Sequence, residues 1–403
     1  MPEEPLAKQG TPAAAPHPGV PYAHTLVALE RADFEVIRRT VTALHRIAHL
    51  AGYQSHVDAD ADADAVARHP VANSAVFMGY DFHLTPDGPR LIEINTNAGG
   101  ALLNGLHTAS LCDPVKLACL CAELIPVETM QARLARTFEA ELHAAHPGAA
   151  LRFLAIADDQ PDAQFLRPEF ELFRQLFASA GIESQICDVR ELRFDGAALT
   201  LGGRGLDLVY LRDTDWRFED ERSLALRGAY LADAVVVTPS PREHHLLANK
   251  QRLMIFSSAD SLRRFGATDD EVALLDAVIP ETCALDQLGL EAAWRTRREW
   301  VFKPAMAFAS RAVYRGDKIS RRKLEEIARL GGFVAQRRVE PGEVQVATGE
   351  GPRNMKFDVR AYAYRDEVLL LGARAYEGQV TNLRTPGGGF SAICVVRDDR
   401  KRC

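Results

Sequence analysis

The chain has 403 residues, 47% of them hydrophobic and 26% charged, with 48 Lys and Arg against 55 Asp and Glu and a formal charge of −7. That length holds two or three domains with real cores, and a mildly acidic balance with scattered basic residues argues against a dedicated nucleic-acid surface. No run reaches the roughly 18 apolar residues of a membrane span, and seven cysteines without zinc-type paired spacing are expected reduced and mostly buried, as in the cytoplasm.

Residues 1–22, rich in Pro and Ala and without a leader pattern, predict a disordered arm. From about Ala23 to Leu50 apolar residues recur at three and four, which predicts one amphipathic helix. DADADADA, Asp58 to Ala65, lacks the turn glycine and closing Glu of a calcium loop, so a polar loop or helix start is expected. AVFMGYDFHL (75–84) and RLIEINTN (90–97), joined by TPDGP, predict a β-hairpin. Period two sends Glu93, Asn95 and Asn97 to one face, with Asp81 on the partner strand able to join them. After Gly100 the Ala-rich segment reads as helical, with a break near Asp113-Pro114.

RFLAIADD (152–159), the helical FLRPEFELFRQLFASAG and IESQICDV form a β-α-β unit, which implies a parallel sheet. DLVYLRDTDW (207–216) is a further strand ending in polar residues, where open α/β sheets put ligand sites. Arg212, Asp213 and Asp215 are therefore substrate-contact candidates, beside the alternative of a loop salt bridge. A helix at SLALRGAYLADA and a strand at VVVTPSP lead into HHLLANKQRLMIF, with Lys250 on a helical stretch. His244-His245 beside Glu243 invite a metal, but adjacent residues diverge, so a loop pair is expected. From about Pro280, WVFKPA, FVAQRRV and KFDVRAYAYRDEVLLLGARAY, with a hairpin at Arg365-Asp366, predict an antiparallel sheet covered by helical SRRKLEEIARLGG.

Phosphate-rich ligands need cations, and magnesium between phosphates needs carboxylate or amide oxygens. Lys303, at the end of an apolar strand, is the best single cation. Glu93, Asn95 and Asp358 are the oxygen donors, and Arg360 shares a strand face with Asp358.

Lys250 in ANK, Lys303 in VFKPA, Gln336 in VAQ, Asp358 and Arg360 in FDVR, GARAYEGQVTNLRTPGGG and LIEINTNAGG together resemble the ATP-grasp ligases. The usual order puts the Glu-x-Asn strand last, whereas here it comes first. That displacement is similar to the circularly permuted ATP-grasp proteins, relatives of glutathionylspermidine synthetase and eukaryotic-type glutathione synthetase. The resemblance spans residues 75–105 and 205–395.

It implies an α+β / α/β chain with a circularly permuted ATP-grasp fold, an antiparallel-sheet nucleotide site and a β-α-β substrate-side domain. The expected divisions are the arm (1–22), helices plus the metal-strand hairpin (23–150), the substrate-side domain (151–245) and the nucleotide-binding region (246–403). By resemblance, Lys250 and Lys303 hold the phosphates of ATP, and Gln336, Arg337 and Val339 line the adenine slot. Glu93 and Asn95, with Asp81, hold Mg2+, or Mn2+ in its place. Asp358, Arg360, Arg374, Asn382 and Arg384 frame the γ-phosphate and acyl substrate, the three arginines acting catalytically. Asn97, Gly99 and Gly100 face the substrate with Arg212, Asp213 and Asp215. The lid AMAFASRAVYRG has alanines where many members have glycines, and Arg311 compensates with charge. The expected activity is ADP-forming amide-bond ligation of a carboxylate and an amine through an acylphosphate. The alternatives are a nucleotide-binding scaffold that has lost catalysis and a phosphotransferase. Nucleic acid and membrane are not expected partners, and a homodimer is the default assembly.

Overall fold

A computed structural model describes residues 17, 19–60, 63–111, 126–305, 313–379 and 381–396. The expected arm, the Asp113-Pro114 break and most of the alanine-rich lid, Arg311 included, lie almost wholly outside them.

The first element corrects the sequence expectation. YAHTLVAL is a strand, β1 (Tyr22–Leu29), and only then does helix α1 (Arg31–Ala48) begin. β1 pairs along one edge with the last strand among the described residues and along the other with a second late strand, so distant partners override a local helical spacing. α1 itself buries Phe34, Ile37, Val41, Leu44 and Ile47 on one face, as its periodicity requires. Helix α2 (Ala51–Asp58) ends at the first aspartate of DADADADA, and Asp64 caps α3 (Ala65–Arg68) by accepting from Ala67 N at 2.9 Å. The repeat is thus a helix end and a helix start.

Strands β2 (Met78–Thr85) and β3 (Gly88–Asn95) form the expected hairpin. Asp81 faces Glu93 and Phe82 faces Leu91, so Ile92 is an extra, bulged residue. Helices α4 (Ala101–Leu111) and α5 (Val127–Ala145) follow. β4 (Phe153–Asp158), α6 (Arg167–Ser179) and β5 (Glu183–Asp188) make the expected parallel β-α-β unit. A three-stranded flap of β6 (Arg193–Phe194), β7 (Leu199–Leu201) and β8 (Arg204–Gly205) precedes β9 (Leu208–Leu211), helix α7 (Leu224–Leu231) and β10 (Val236–Thr238). The parallel sheet runs β10-β9-β4-β5.

A helical turn, Pro241–Glu243, passes into a π-helix, His244–Ala248. Lys250 sits in the turn before helix Arg252–Phe256 rather than on a helix. β11 (Thr282–Ala284), β12 (Trp300–Pro304), β13 (Tyr314–Arg315) and β14 (Phe333–Arg337) form a small antiparallel sheet ordered β11-β14-β12-β13. Helix Arg321–Leu330 covers it, Leu324 and Ile327 packing in one cluster with Trp300 and Phe302. β15 (Gly342–Thr348), β16 (Gly351–Tyr364), β17 (Glu367–Tyr376) and β18 (Gly389–Val395) join a larger sheet ordered β15-β1-β18-β17-β16-β2-β3. The late strands, expected in one sheet, therefore divide between two, because β16 takes β2 and β17 as partners while β12 takes β13 and β14.

The whole is the mixed α/β architecture expected. Cys187 and Cys283 are free, as expected, whereas Cys394 is engaged in a disulfide, contrary to expectation. Among the described residues no helix is long and apolar enough to cross a membrane.

Candidate nucleotide and substrate site

On β12 the alternation of a strand puts Trp300 and Phe302 into the core, 2% and 0% exposed, and turns Val301 and Lys303 the other way. They line a cleft of about 940 Å³ between the small antiparallel sheet and the larger, mixed sheet, faced from the larger sheet by His83, Ile92, Glu93 and Tyr376. Lys303 Nζ donates to Gln336 Oε1 at 2.8 Å and to the carbonyl of the bulged Ile92 at 2.9 Å. Burial lowers the ammonium's pKa below the usual lysine value; Glu93 pulls against that shift and Lys250 adds to it. Lys250 Nζ stands 3.2 Å from Glu93 Oε1, so two lysines share one carboxylate. Gln336 Nε2 is buried without a protein partner, a donor left for a ligand. Val339 also lines the cleft and its carbonyl accepts from His83 Nδ1 at 3.0 Å. Arg337 lines it too, with its guanidinium tied to Glu281 and Glu299 and laid over Trp300.

Beside this cleft the register of the large sheet builds a row of charge. Asp358 faces Arg374 across β16 and β17, Arg360 faces Asp81 across β16 and β2, and Asp81 faces Glu93 across the hairpin. Arg360 grips Asp81 through Nε at 2.6 Å and its terminal nitrogen at 2.7 Å. Arg374 bridges Asp358 at 2.6 Å and Asp81 at 2.9 Å. Burial opposes ionisation of Asp81, yet the Arg360 and Arg374 guanidiniums outweigh it and hold the carboxyl well below the usual range. Asp358, fully buried, spends its second oxygen on Thr381 Oγ1 at 2.5 Å. Asp358 thus fixes Arg374 and Thr381, while Asp81 offers both oxygens to guanidiniums and accepts from Asn95 Nδ2 at 3.2 Å.

Glu93 and Asn95 remain as oxygen donors from one strand. A carboxylate with a carboxamide suits a hard ion such as Mg2+ or Mn2+, with phosphate oxygens and water completing its shell.

A second pocket, about 830 Å³, is lined by Asn95, Asn97, Asp213, Trp216, His244 and Arg360, and Lys250 lines both it and the cleft. His244 stacks on Trp216 with centroids 4.2 Å apart, and its Nδ1 lies 2.7 Å from Thr96 Oγ1. Burial and then Lys250 lower its pKa well below the usual value, so the ring is neutral. Asn97 donates to the Arg212 carbonyl, and Asp213 receives Arg222 Nε at 2.8 Å.

Several of the expected site residues are engaged elsewhere in the protein. Arg212 is buried beside Tyr210 and Phe170 and lines neither pocket. Asp215 accepts the backbone N–H groups of Glu219 and Asp220, which makes it a loop staple. Gly100 N donates to Glu169 Oε2 at 2.8 Å and Leu102 N to Oε1 at 3.1 Å, so Glu169 satisfies the start of α4 and the paired glycines serve packing. Asn382 and Arg384 are exposed; Asn382 accepts from Arg384 N, and Arg384 lies over Phe165. Thr381 and His83 are lone residues that no spacing marks in the sequence, and His244, expected in a loop pair, lies instead at the start of the π-helix and against the second pocket.

The fold is of the ATP-grasp type, as the sequence resemblance implied. The chain is similar over 94% of its length, and 90% of the other's, to a glutathione synthetase-like effector from Globodera pallida in its apo form, at TM-score 0.61 and 12% identity. A putative γ-glutamylcysteine synthetase from Methylobacillus flagellatus KT aligns at TM-score 0.48 and 13% identity, over 91% of this chain and 88% of that one. At such identities the likeness is one of fold. No family model matches the sequence, and no curated protein does.

Proposed function

We propose that the protein is an ATP-dependent, ADP-forming ligase that joins a carboxylate to an amine on a circularly permuted ATP-grasp chain. The observation that carries this reading is the meeting of the two pockets at Lys250 and the Glu93–Asn95 strand, which would bring a triphosphate's end to an acceptor. In the proposed reaction a carboxylate oxygen attacks the γ-phosphorus and ADP leaves. The amine then attacks the acyl carbon of the acylphosphate, loses a proton and expels phosphate.

Lys303 and Lys250 hold phosphate oxygens, and the backbone from Gln336 to Val339 takes the adenine. Arg360, already oriented by Asp81, meets charge that develops at the acceptor without having to reorganise. Glu93 and Asn95 would hold a magnesium ion, which neutralises phosphate charge when bound. No protein nucleophile is needed, because alignment and charge stabilisation lower the barrier. The name of the Globodera pallida relative supports a ligase-type fold ancestry at the level of architecture.

Thermal unfolding with ATP and Mg2+ tests the binding half. Ligand at 100 times its dissociation constant adds about 2.7 kcal/mol to the native state, and Lys303→Ala should abolish the shift while keeping the fold. ADP release with pooled carboxylates and amines tests the chemistry. Stabilisation without ADP release would favour a binding protein, ADP with a stable phosphorylated product would favour a phosphotransferase, and no stabilisation in the wild type would refute the nucleotide site.

A further inference from the structure

Glu243 ends a helical turn just before the π-helix, and its side chain turns away from the substrate pocket that the next residue, His244, lines. It meets His45, in the last turn of α1, and His49, the residue that caps that helix, with ring centroids 4.2 Å apart. His49 Nε2 lies 2.7 Å from Glu243 Oε1. The ligand atoms of all three residues fall within 4.8 Å of one another, and among the described residues no other group of three His, Cys, Asp or Glu does so.

Two further observations point to a ligand. Glu243 is 2% exposed, yet its Oε2 is buried with no hydrogen-bond partner, an expensive arrangement for a carboxylate unless something else fills it. His49 Nδ1 donates to the His45 carbonyl at 2.7 Å, which fixes the tautomer whose Nε2 lone pair faces the carboxylate. Two lone pairs facing each other call for a cation between them, a proton or a metal ion. Ser74 Oγ donates to Glu243 Oε1 at 2.9 Å and steadies it, as outer partners of metal-bound carboxylates do. The nearby Arg242 is taken by Asp58 at 3.0 Å and Gln54 at 3.2 Å, and Arg365 lies 5.2 Å over Tyr364, so neither neutralises Glu243 directly.

We propose that His45, His49 and Glu243 bind a zinc-type divalent transition ion, leaving a coordination position open to the adjoining pocket of about 760 Å³. Two imidazoles and one carboxylate are a borderline donor set that suits Zn2+ or Co2+ over Mg2+. Bonds of about 2.0–2.2 Å place tetrahedral donors roughly 3.3–3.6 Å apart, within reach of rotamer adjustments of about 1 Å. Bound there, the ion ties α1 to the segment that leads through His244 to Lys250.

Zinc titrated against a chromophoric chelator, with Co2+ absorption as a second readout, tests the site on the full chain. One equivalent should bind the wild type and a His146→Asn control alike. His45→Asn and His49→Asn should each weaken zinc by at least about tenfold and remove the tetrahedral cobalt bands. Both are replacements at the less buried end of the cluster, so they decide the matter even where Glu243→Gln fails to fold. Absence of zinc uptake by the wild type, or unchanged uptake by the His45→Asn, His49→Asn double variant, overturns the proposal.

Discussion

At Asp81 two guanidiniums converge on one carboxylate that is only 2% exposed. Such a network is weak evidence of net stability, but breaking it strands charge that an arginine cannot shed. Asp81→Asn should therefore lower unfolding free energy by about 3–5 kcal/mol in urea titrations, and a loss of only a few tenths would mean that water reaches the pair. Sequence reasoning picked out Asp81, Arg360 and Arg374 but gave them separate duties toward metal and phosphate. Their mutual contacts depend on the β2–β16 register, which joins residues 279 positions apart, and nothing local encodes that.

At the scale of elements, the junction of β3 and α4 turns on Gly100. Its φ is +95°, and a Cβ there would lie 2.5 Å from the Phe390 ring on β18. Gly148 has φ +82° but open space around it, so the pair separates backbone preference from crowding. Gly148→Ala should cost about 1 kcal/mol from backbone strain alone. Gly100→Ala should cost about 1–3 kcal/mol more through overpacking, and equal melting temperatures for the two variants would refute the close approach. The paired glycines after LIEINTN were visible as punctuation, but not the Phe390 ring that crowds Gly100 or the Leu166 side chain that crowds Gly99. β1 teaches the converse, since its apolar spacing satisfies a helix until β18 and β15 arrive to pair with it.

For the whole molecule, acid stability separates groups of opposite sign. Burial pushes His107 down to about 4, so it is neutral in the fold and protonates more readily when unfolded. Its contribution is present above the unfolded value of about 6.5 and is lost as pH falls from there to about 4, up to about 2–3 kcal/mol. Burial raises Asp158 to about 6, so its protonation below that value favours the native state until the unfolded chain protonates too. Urea unfolding of the wild type and His107→Gln at pH 7 and pH 4.5 isolates the first effect. The wild type should lose more stability than the variant, and parallel losses would overturn the assignment. The sequence by itself determined the hairpin, the parallel β-α-β unit, the strand bearing Lys303 and the Glu93–Asn95 face, because alternation and turn chemistry are local properties. Only the tertiary structure decided that the late strands split into two sheets around a cleft, that β1 is a strand and that Glu243 meets a pair of histidines. Each of those depends on pairing between segments far apart in the chain, whose free energy is gained only once the whole molecule has closed around them.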